Sequence, residues 1–130
     1  MEERLIYNAI QTPDGTILES RSRHDYKTYV DANGKEYMID GGLDYMRRSA
    51  NGDEKDISIW NFHPHVTIRE YVVWGTYGIN GDQPLRYVKL SEMETDHIQA
   101  CLDNVATMYP QTRNAMENEI KYRNKLCTNQ

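Results

Sequence analysis

Four arginines flank a segment rich in tyrosine and glycine, and their guanidinium groups are the feature that most needs a chemical explanation. Arg21 and Arg23 stand at one end of this segment, and Arg47 and Arg48 at the other. A guanidinium group presents five donors in a planar fork that matches a carboxylate or a phosphate. A hairpin followed by a bend would bring the two ends together. A local positive pocket for a small anion is therefore one interpretation. The default is a solvated face, and Asp25, Asp40 and Asp44 in the same segment are alternative partners for the arginines.

The histidines and cysteines show no spacing typical of a metal site, and no metal is expected. His97 and Cys101 are one helical turn apart, but Cys101 lies on an apolar stripe, where a thiol packs rather than reacts. No Gly-x-Ser-x-Gly, Walker or Rossmann pattern and no paired catalytic carboxylates occur. The sequence therefore predicts neither a catalytic residue nor a cofactor.

A glycine-rich loop supplies candidates for stacking on a planar base. Trp74 and Tyr77 flank Gly75 in this loop. The loop joins two predicted strands, whereas phosphate-binding loops lead from a strand into a helix, so its glycines indicate an ordinary hairpin. Packing at a sheet edge is an equal alternative for the aromatic side chains. Arg69, on the same face of a predicted strand as Tyr71, needs a carboxylate or a ligand phosphate as its partner.

An antiparallel sheet must position these residues. Strands are predicted at residues 5–10, 16–19, 57–62, 66–74 and 85–90, and in a central hairpin that turns at residues 32–34 and continues past a double-glycine bend. A three-residue turn with Gly34 left-handed sets Asp31 opposite Lys35. A two-residue turn would oppose Asp31 to Glu36, a like-charge pair that costs stability, so the first register is preferred.

Helical patterns follow the sheet. Ser91 with Glu94 forms a capping-box pattern, with Thr95 as an alternative cap, ahead of an apolar stripe at residues 98, 101, 102 and 105. Pro110 opens a second helix that runs to about Leu126. The predicted fold class is α+β, with an N-terminal antiparallel sheet of about six strands over residues 1–90 and two C-terminal helices over residues 91–130, in one domain.

The composition limits which kinds of partner are expected. The net charge is −5, so a broad face for a nucleic acid polymer is not expected. Only 38% of the residues are hydrophobic while ten are tyrosines, which favours a homo-oligomer whose subunit contacts add buried surface. No signal peptide and no apolar run of about 20 residues occurs, so a cytoplasmic protein without a membrane partner is expected.

Several motifs together resemble a known family. They are residues 23–26 (Arg-His-Asp-Tyr), 31–34 (Asp-Ala-Asn-Gly), 39–45 (Ile-Asp-Gly-Gly-Leu-Asp-Tyr), 47–48 (Arg-Arg) and 74–78 (Trp-Gly-Thr-Tyr-Gly), with residues 90–93 (Leu-Ser-Glu-Met) and 97–98 (His-Ile) further on. Across nearly the whole chain, this pattern resembles the first-described Thoeris anti-defence family of phage proteins. Members of that family sequester cyclic ADP-ribose isomers made by bacterial TIR enzymes and hold them intact.

The resemblance implies a non-enzymatic protein of the host bacterial cytoplasm, with an antiparallel sheet and helices. It also implies dimers, or hexamers with added sites for cyclic oligonucleotides. In such a site, aromatic rings hold adenine, arginines hold the pyrophosphate, and short polar groups such as Asn80 or Asp82 hold ribose hydroxyls. The candidate ligand-binding residues are Arg23, His24, Arg47, Arg48, Arg69, Trp74, Tyr77, Asn80, Tyr87 and Arg123.

Two other functions stay open. The chain could degrade the same messenger, with His24 or His97 as general base. It could instead be a protein-binding module whose arginines and tyrosines contact an acidic surface of another protein.

Overall fold

The computed structural model describes residues 2–78 and 80–128, and the side chains up to Leu126 with the exception of residues 1 and 79. The described chain divides into two compact units, one ending at Phe62 and the other beginning at His63. The prediction of a single domain is not tested by this division and stays a prediction.

The first unit consists of two antiparallel sheets. Its strands are β1 (Leu5–Gln11), β2 (Ile17–Ser20), β3 (Lys27–Val30), β4 (Glu36–Asp40), β5 (Arg47–Arg48), β6 (Lys55–Asp56) and β7 (Ile59–Trp60). In the first sheet, β1 pairs with β2, β6 and β7, with an irregularity in the register between β1 and β7. In the second sheet, β4 lies between β3 and β5.

The turn between β3 and β4 confirms the preferred register. Val30 pairs with Glu36, and the amide of Asp31 donates a hydrogen bond of 3.0 Å to the carbonyl of Lys35. Gly34 has a φ of +79°, which is the left-handed conformation that the three-residue turn requires. The Asp31–Glu36 like-charge pair is thereby avoided.

One hydrophobic cluster of the first unit lies where β1 and β2 meet β4. Ile10, Leu18, Tyr37 and Ile39 are buried together, and Tyr29 packs against them. Tyr37 is fully buried, and its hydroxyl donates to Asp53 at 3.1 Å. A buried tyrosine with its polar end satisfied contributes apolar area without an unpaired donor.

The double-glycine bend after β4 depends on the absence of side chains. Gly42 has a φ of +54°, and a Cβ there would lie 2.6 Å from the carbonyl oxygen of Ser22 and 2.7 Å from its Cα. At Gly41, where φ is +98°, a Cβ would collide with the backbone of Tyr45 in the same loop. Glycine at position 41 thus permits the bend itself, and glycine at position 42 permits the two loops to pack.

The second unit combines one hairpin with helices. It contains α1 (His65–Ile68), β8 (Val73–Thr76), β9 (Arg86–Lys89), a 3₁₀ turn (Leu90–Glu92), α2 (Thr95–Asn104) and α3 (Pro110–Thr128). Strands β8 and β9 form a two-stranded antiparallel sheet. Buried apolar side chains come from the helices, the 3₁₀ turn and the residues next to them: Ile68, Val72, Leu90, Met93, Ile98, Cys101, Ala115 and Met116. Cys127 lies in α3, and its side chain is outside the described part.

The α+β class, with the helices mostly toward the C-terminus, is confirmed, but the predicted arrangement is wrong in detail. The described residues form nine strands in three antiparallel sheets rather than one sheet of about six strands. They also form three α-helices rather than two, because α1 precedes the last hairpin. The predicted strand at residues 57–62 is reduced to Ile59–Trp60.

The predicted strand at residues 66–74 is wrong over most of its length. Pro64 precedes a helical turn, and amides at residues 67 and 68 donate to its carbonyl. Ile68 and Val72 are both buried, four residues apart, while Val66 is 60% exposed. The burial therefore repeats every four residues, as in a helical turn, although the β-branched residues favoured a strand.

The predicted cap of the first long helix is also wrong. Ser91 lies in the 3₁₀ turn, and its hydroxyl donates to Glu70 at 3.0 Å instead of capping a helix. Glu94 is the N-cap residue of α2 and makes no side-chain cap hydrogen bond, and Thr95 is the first helical residue.

We expect Gly42→Ala to destabilise the protein more than Gly52→Ala does. Both glycines have a positive φ, but a Cβ at Gly52 would meet nothing within 4 Å. The collision with Ser22 should lower the free energy of unfolding by about 1–3 kcal/mol beyond the loss in the control. Urea denaturation of the two variants measures the difference. Equal losses would show that the loops at residues 22 and 42 separate without cost.

Candidate functional site

A groove of about 520 Å³ in the second unit is a candidate site. The hairpin forms one side of it, and the 3₁₀ turn with the start of α2 forms the other. Its lining combines basic, acidic and apolar groups: Thr76, Gly78, Arg86, Val88, Glu92, Met93, Glu94 and His97. The volume is in the range of sites that bind small molecules.

Strand alternation explains the hairpin side of the groove. Thr76 pairs with Arg86, and Trp74 pairs with Val88, so these four side chains share one face of the hairpin. Gly75 and its partner Tyr87 belong to the opposite face. The sequence between residues 74 and 88 therefore directs a cation and an apolar side chain toward the groove.

Backbone hydrogen bonds hold the other side in place. The amide of Leu90 donates to the carbonyl of Val72 at 2.8 Å, and the amide of Ser91 donates to the carbonyl of Arg69 at 2.9 Å. Leu90 and Met93 are buried and anchor the turn in the core of the unit. The carboxylates at residues 92 and 94 are left exposed at the groove.

The polar groups of the groove are available for a ligand. Arg86 and His97 form no side-chain hydrogen bond or ion pair within the described residues, and the same holds for Glu92 and Glu94. An arginine and a histidine can donate to phosphate oxygens, and carboxylates can accept from hydroxyl groups. Met93 supplies apolar surface for a planar ring. This combination of groups suits a nucleotide.

A buried ion cluster is connected to the groove through hydrogen bonds of Arg123. Glu119 of α3 is fully buried. Arg69 binds it in a bidentate fork, with Nε 2.9 Å from Oε1 and Nη2 2.8 Å from Oε2. Arg123 donates from Nε to Oε2 at 2.7 Å, and His65 Nε2 lies 2.9 Å from Oε1. Arg69 also lies over the ring of Tyr122, 4.7 Å from its centroid.

The charges around Glu119 keep it ionised. Burial alone would raise the pKa of its carboxyl group, but the hydrogen bonds from Arg69, Arg123 and His65 lower it to about 2. A buried carboxylate with charged donors on both oxygens is a fully satisfied acceptor.

Arg123 links this cluster to the groove. Its Nη2 donates to the carbonyl of Leu90 at 3.1 Å, and its Nη1 donates to the hydroxyl of Thr95 at 2.8 Å. Leu90 and Thr95 are the two ends of the segment that carries Glu92, Met93 and Glu94. Arg123 is therefore a positioning residue for that side of the groove.

The structure brings together two of the candidate ligand-binding arginines, Arg69 and Arg123. Their shared partner is the carboxylate of Glu119, and Arg69 lies just after α1 rather than on a strand. The carboxylate alternative considered for Arg69 is thus the one observed. An Arg69→Ala variant would remove the bidentate partner of the buried Glu119 and so destabilise the fold. It is therefore unsuited to testing ligand binding alone.

The candidate aromatic residues and Asn80 all lie in the β8–β9 hairpin or in the loop that joins its strands. Trp74 is half-buried on the groove side, whereas Tyr87 is exposed on the other face, against Gly75. Tyr77 and Asn80 are exposed in the loop between the strands. The two strand aromatics therefore cannot form one stacking platform, because the hairpin separates them.

The remaining candidates lie in the first unit. Arg48 is half-buried and pairs with Asp56 at 2.9 Å, with Asn8 at 2.8 Å and with Ser58. Arg23 and His24 are exposed on the turn before β3, and Arg47 is exposed on β5. Arg48 thus supports the sheet, while the other three side chains face solvent.

Sequence reasoning missed most of the groove lining. Arg86 could have been found from the sequence, because it shares a face with Val88 on a correctly predicted strand. The contributions of Thr76, Glu92 and Glu94 depend on how a turn and a helix pack on that strand, which the sequence pattern does not specify. His97 entered only as a candidate base.

Comparison of the chain with protein-family models, curated proteins and solved structures finds no match to any of them. No cluster of three or more potential metal ligands occurs in residues 2–78 and 80–128. None of the described helices is both long and apolar enough to cross a membrane.

We expect Glu119→Gln to lower the free energy of unfolding at neutral pH by about 3–5 kcal/mol, because it leaves buried cations without their counter-charge. Glu117→Gln, an exposed position in the same helix, is the control. Since the pKa of Glu119 is about 2 in the folded chain and ordinarily 4.5, its contribution is present above about pH 4.5 and is lost as the pH falls toward 2.

Denaturation of the three proteins between pH 7 and pH 2 measures this difference. The difference in the free energy of unfolding between the unmodified chain and Glu119→Gln should decrease steadily below pH 4.5. A difference that stays constant down to pH 2 would contradict the assigned charge state.

Proposed function

We propose that this chain is a phage anti-defence protein that binds a cyclic nucleotide immune signal and holds it intact. The ligand class is that of the cyclic ADP-ribose isomers, and the site of action is the cytoplasm of the bacterial host. The observation that carries the proposal is the groove of the second unit, with its unpaired basic and acidic groups beside apolar surface. The resemblance of the sequence motifs to Thoeris anti-defence proteins supports the same ligand class.

The groove offers a partner for each part of such a ligand. Arg86 and His97 supply donors for the pyrophosphate. Glu92 and Glu94 supply acceptors for ribose hydroxyl groups, and their charge disfavours ligands that consist of phosphate alone. Val88 and Met93 supply an apolar surface for adenine. The segment of Glu92 to Glu94 is held at both ends by Arg123, so the ligand meets a preformed surface.

A homo-oligomer belongs to this proposal. The outer face of the hairpin exposes Tyr77, Leu85 and Tyr87, whose exposed fractions are 55%, 48% and 45%. Apolar and aromatic groups of this kind are typical of subunit contacts. An isolated two-stranded sheet is also marginally stable, so a second copy packed on this face would stabilise it.

A second candidate function is hydrolysis of the same messenger. His97 lines the groove beside the carboxylates of Glu92 and Glu94, which is a suitable position for a general base. Sequestration and hydrolysis predict different fates for a bound ligand and are therefore separable in one experiment.

We expect the purified protein to retain an intact cyclic ADP-ribose isomer. The protein is incubated with a panel of cyclic ADP-ribose isomers and cyclic oligonucleotides, separated from free ligand and heat-denatured, and the released ligand is analysed by chromatography. Recovery of the unchanged compound supports sequestration. Recovery of a new product establishes an enzyme, and a panel that is neither bound nor altered removes both functions.

Arg86→Ala and Lys89→Ala locate the site. Lys89 lies on the same strand as Arg86 but on its other face, so both variants remove one exposed cation from β9. Arg86→Ala should weaken binding at least tenfold, which corresponds to the loss of about one charge-assisted hydrogen bond. Lys89→Ala should bind like the unmodified chain. Equal affinities in the two variants would exclude the groove as the ligand site.

A further inference from the structure

Two loops of the first unit are locked together by buried polar groups. The amide of Gly42 donates to the hydroxyl oxygen of Ser20 at 2.8 Å, and that hydroxyl donates to the carbonyl of Asp25 at 2.7 Å. The buried amide of Asn8 donates to the carbonyl of Gly42 at 3.0 Å. Gly42 also packs on the backbone of Ser22. Residues 22–26 and 42–47 therefore form one preorganised surface, called here the two-loop surface.

The two-loop surface presents cations without partners. The side chains of Arg23, His24 and Arg47 are exposed and form no hydrogen bond or ion pair within the described residues. Residues 1–62 carry twelve carboxylates and eight Lys or Arg residues, a net charge of −4. Five of those eight form ion pairs within the unit: Arg4, Arg21, Lys27, Lys35 and Arg48. Carboxylates are thus in excess, and yet Arg23 and Arg47 are left unpaired.

Exposed apolar groups accompany these cations. Tyr26 is 55% exposed, and Tyr45 and Met46 are each 40% exposed. Tyrosine, arginine and methionine are the residue types enriched at the centres of protein–protein interfaces, where tyrosine and arginine contribute most of the binding energy. A rigid surface of this composition binds without the cost of ordering its loops.

We propose that the two-loop surface docks an acidic segment of a partner protein. Unpaired arginines select carboxylates, and the tyrosines and Met46 select the apolar side chains between them. A nucleic acid polymer fits less well, because it carries a negative charge at every nucleotide, so the unit's charge of −4 repels it more strongly than it repels a segment in which carboxylates alternate with apolar side chains. A small anion fits less well because such ligands bind in concave sites, whereas these side chains are exposed. The groove of the second unit has no part in this inference.

A pair of designed peptides tests the proposal. One labelled peptide alternates glutamate and leucine, and the other alternates lysine and leucine. The full-length protein should bind the acidic peptide and not the basic one, as measured by fluorescence anisotropy, and binding should weaken as salt is raised. Perturbed backbone amide resonances should concentrate at residues 22–26 and 42–47.

Two variants distinguish binding at the two-loop surface from a general effect of removing positive charge. The double variant Arg23→Ala/Arg47→Ala should weaken binding of the acidic peptide at least tenfold. Lys55→Ala is the matched control, because Lys55 is the third cation of the unit that lacks an ion pair and lies outside both loops. Circular dichroism confirms that both variants stay folded.

The proposal is overturned if the two peptides bind equally or not at all, or if the double variant binds like Lys55→Ala. It is also overturned if a single-stranded oligonucleotide or inorganic pyrophosphate competes more strongly than the acidic peptide. These outcomes do not depend on whether the groove binds a cyclic nucleotide, so the two proposals fail separately.

Discussion

The second unit depends on one buried carboxylate. Glu119 lies in the middle of α3 and is reached by Arg69 from the end of α1, by His65 from its start and by Arg123 from one turn further along α3. Removing an ion from water is costly, and the cost is offset here because charged donors occupy both carboxylate oxygens. The short helix α1 has a single buried residue, so this fork is a main reason that it has a fixed position.

The same cluster sets what the groove can do. Arg123 binds Glu119 on one side and the backbone of Leu90 and the hydroxyl of Thr95 on the other. The groove carboxylates therefore stand on a segment whose ends are tied to α3, while the groove arginine stands on a hairpin. A site built from a fixed turn and a strand face can distinguish ligands by the spacing of phosphate and hydroxyl groups. In the first unit, the side chains of Asn8 and Ser20 bind the backbone of Gly42 and so join two loops.

Local patterns predicted local structure well. Asn33 and Gly34 predicted the turn and its register, because a left-handed glycine and a like-charge penalty act within a few residues. The start of the helix at Pro110 was predicted from a signal that is equally local. Residues 66–72 were misassigned because valine, threonine and isoleucine favour a strand locally, while the fork between Arg69 and Glu119 joins positions fifty residues apart. A sequence pattern contains no information on such a pairing.

The candidate site was predicted in part, and the reason is chemical. Arginine was rightly singled out as the residue that needs an anion, but its partner is decided by geometry. Arg48, Arg69 and Arg123 have found acceptors within their own units, so they stabilise the fold. Arg23, Arg47 and Arg86 have not, although carboxylates are more numerous than cations in the chain. An arginine left unpaired in an acidic protein is better suited to bind another molecule than one that is already satisfied, because binding then breaks no existing ion pair.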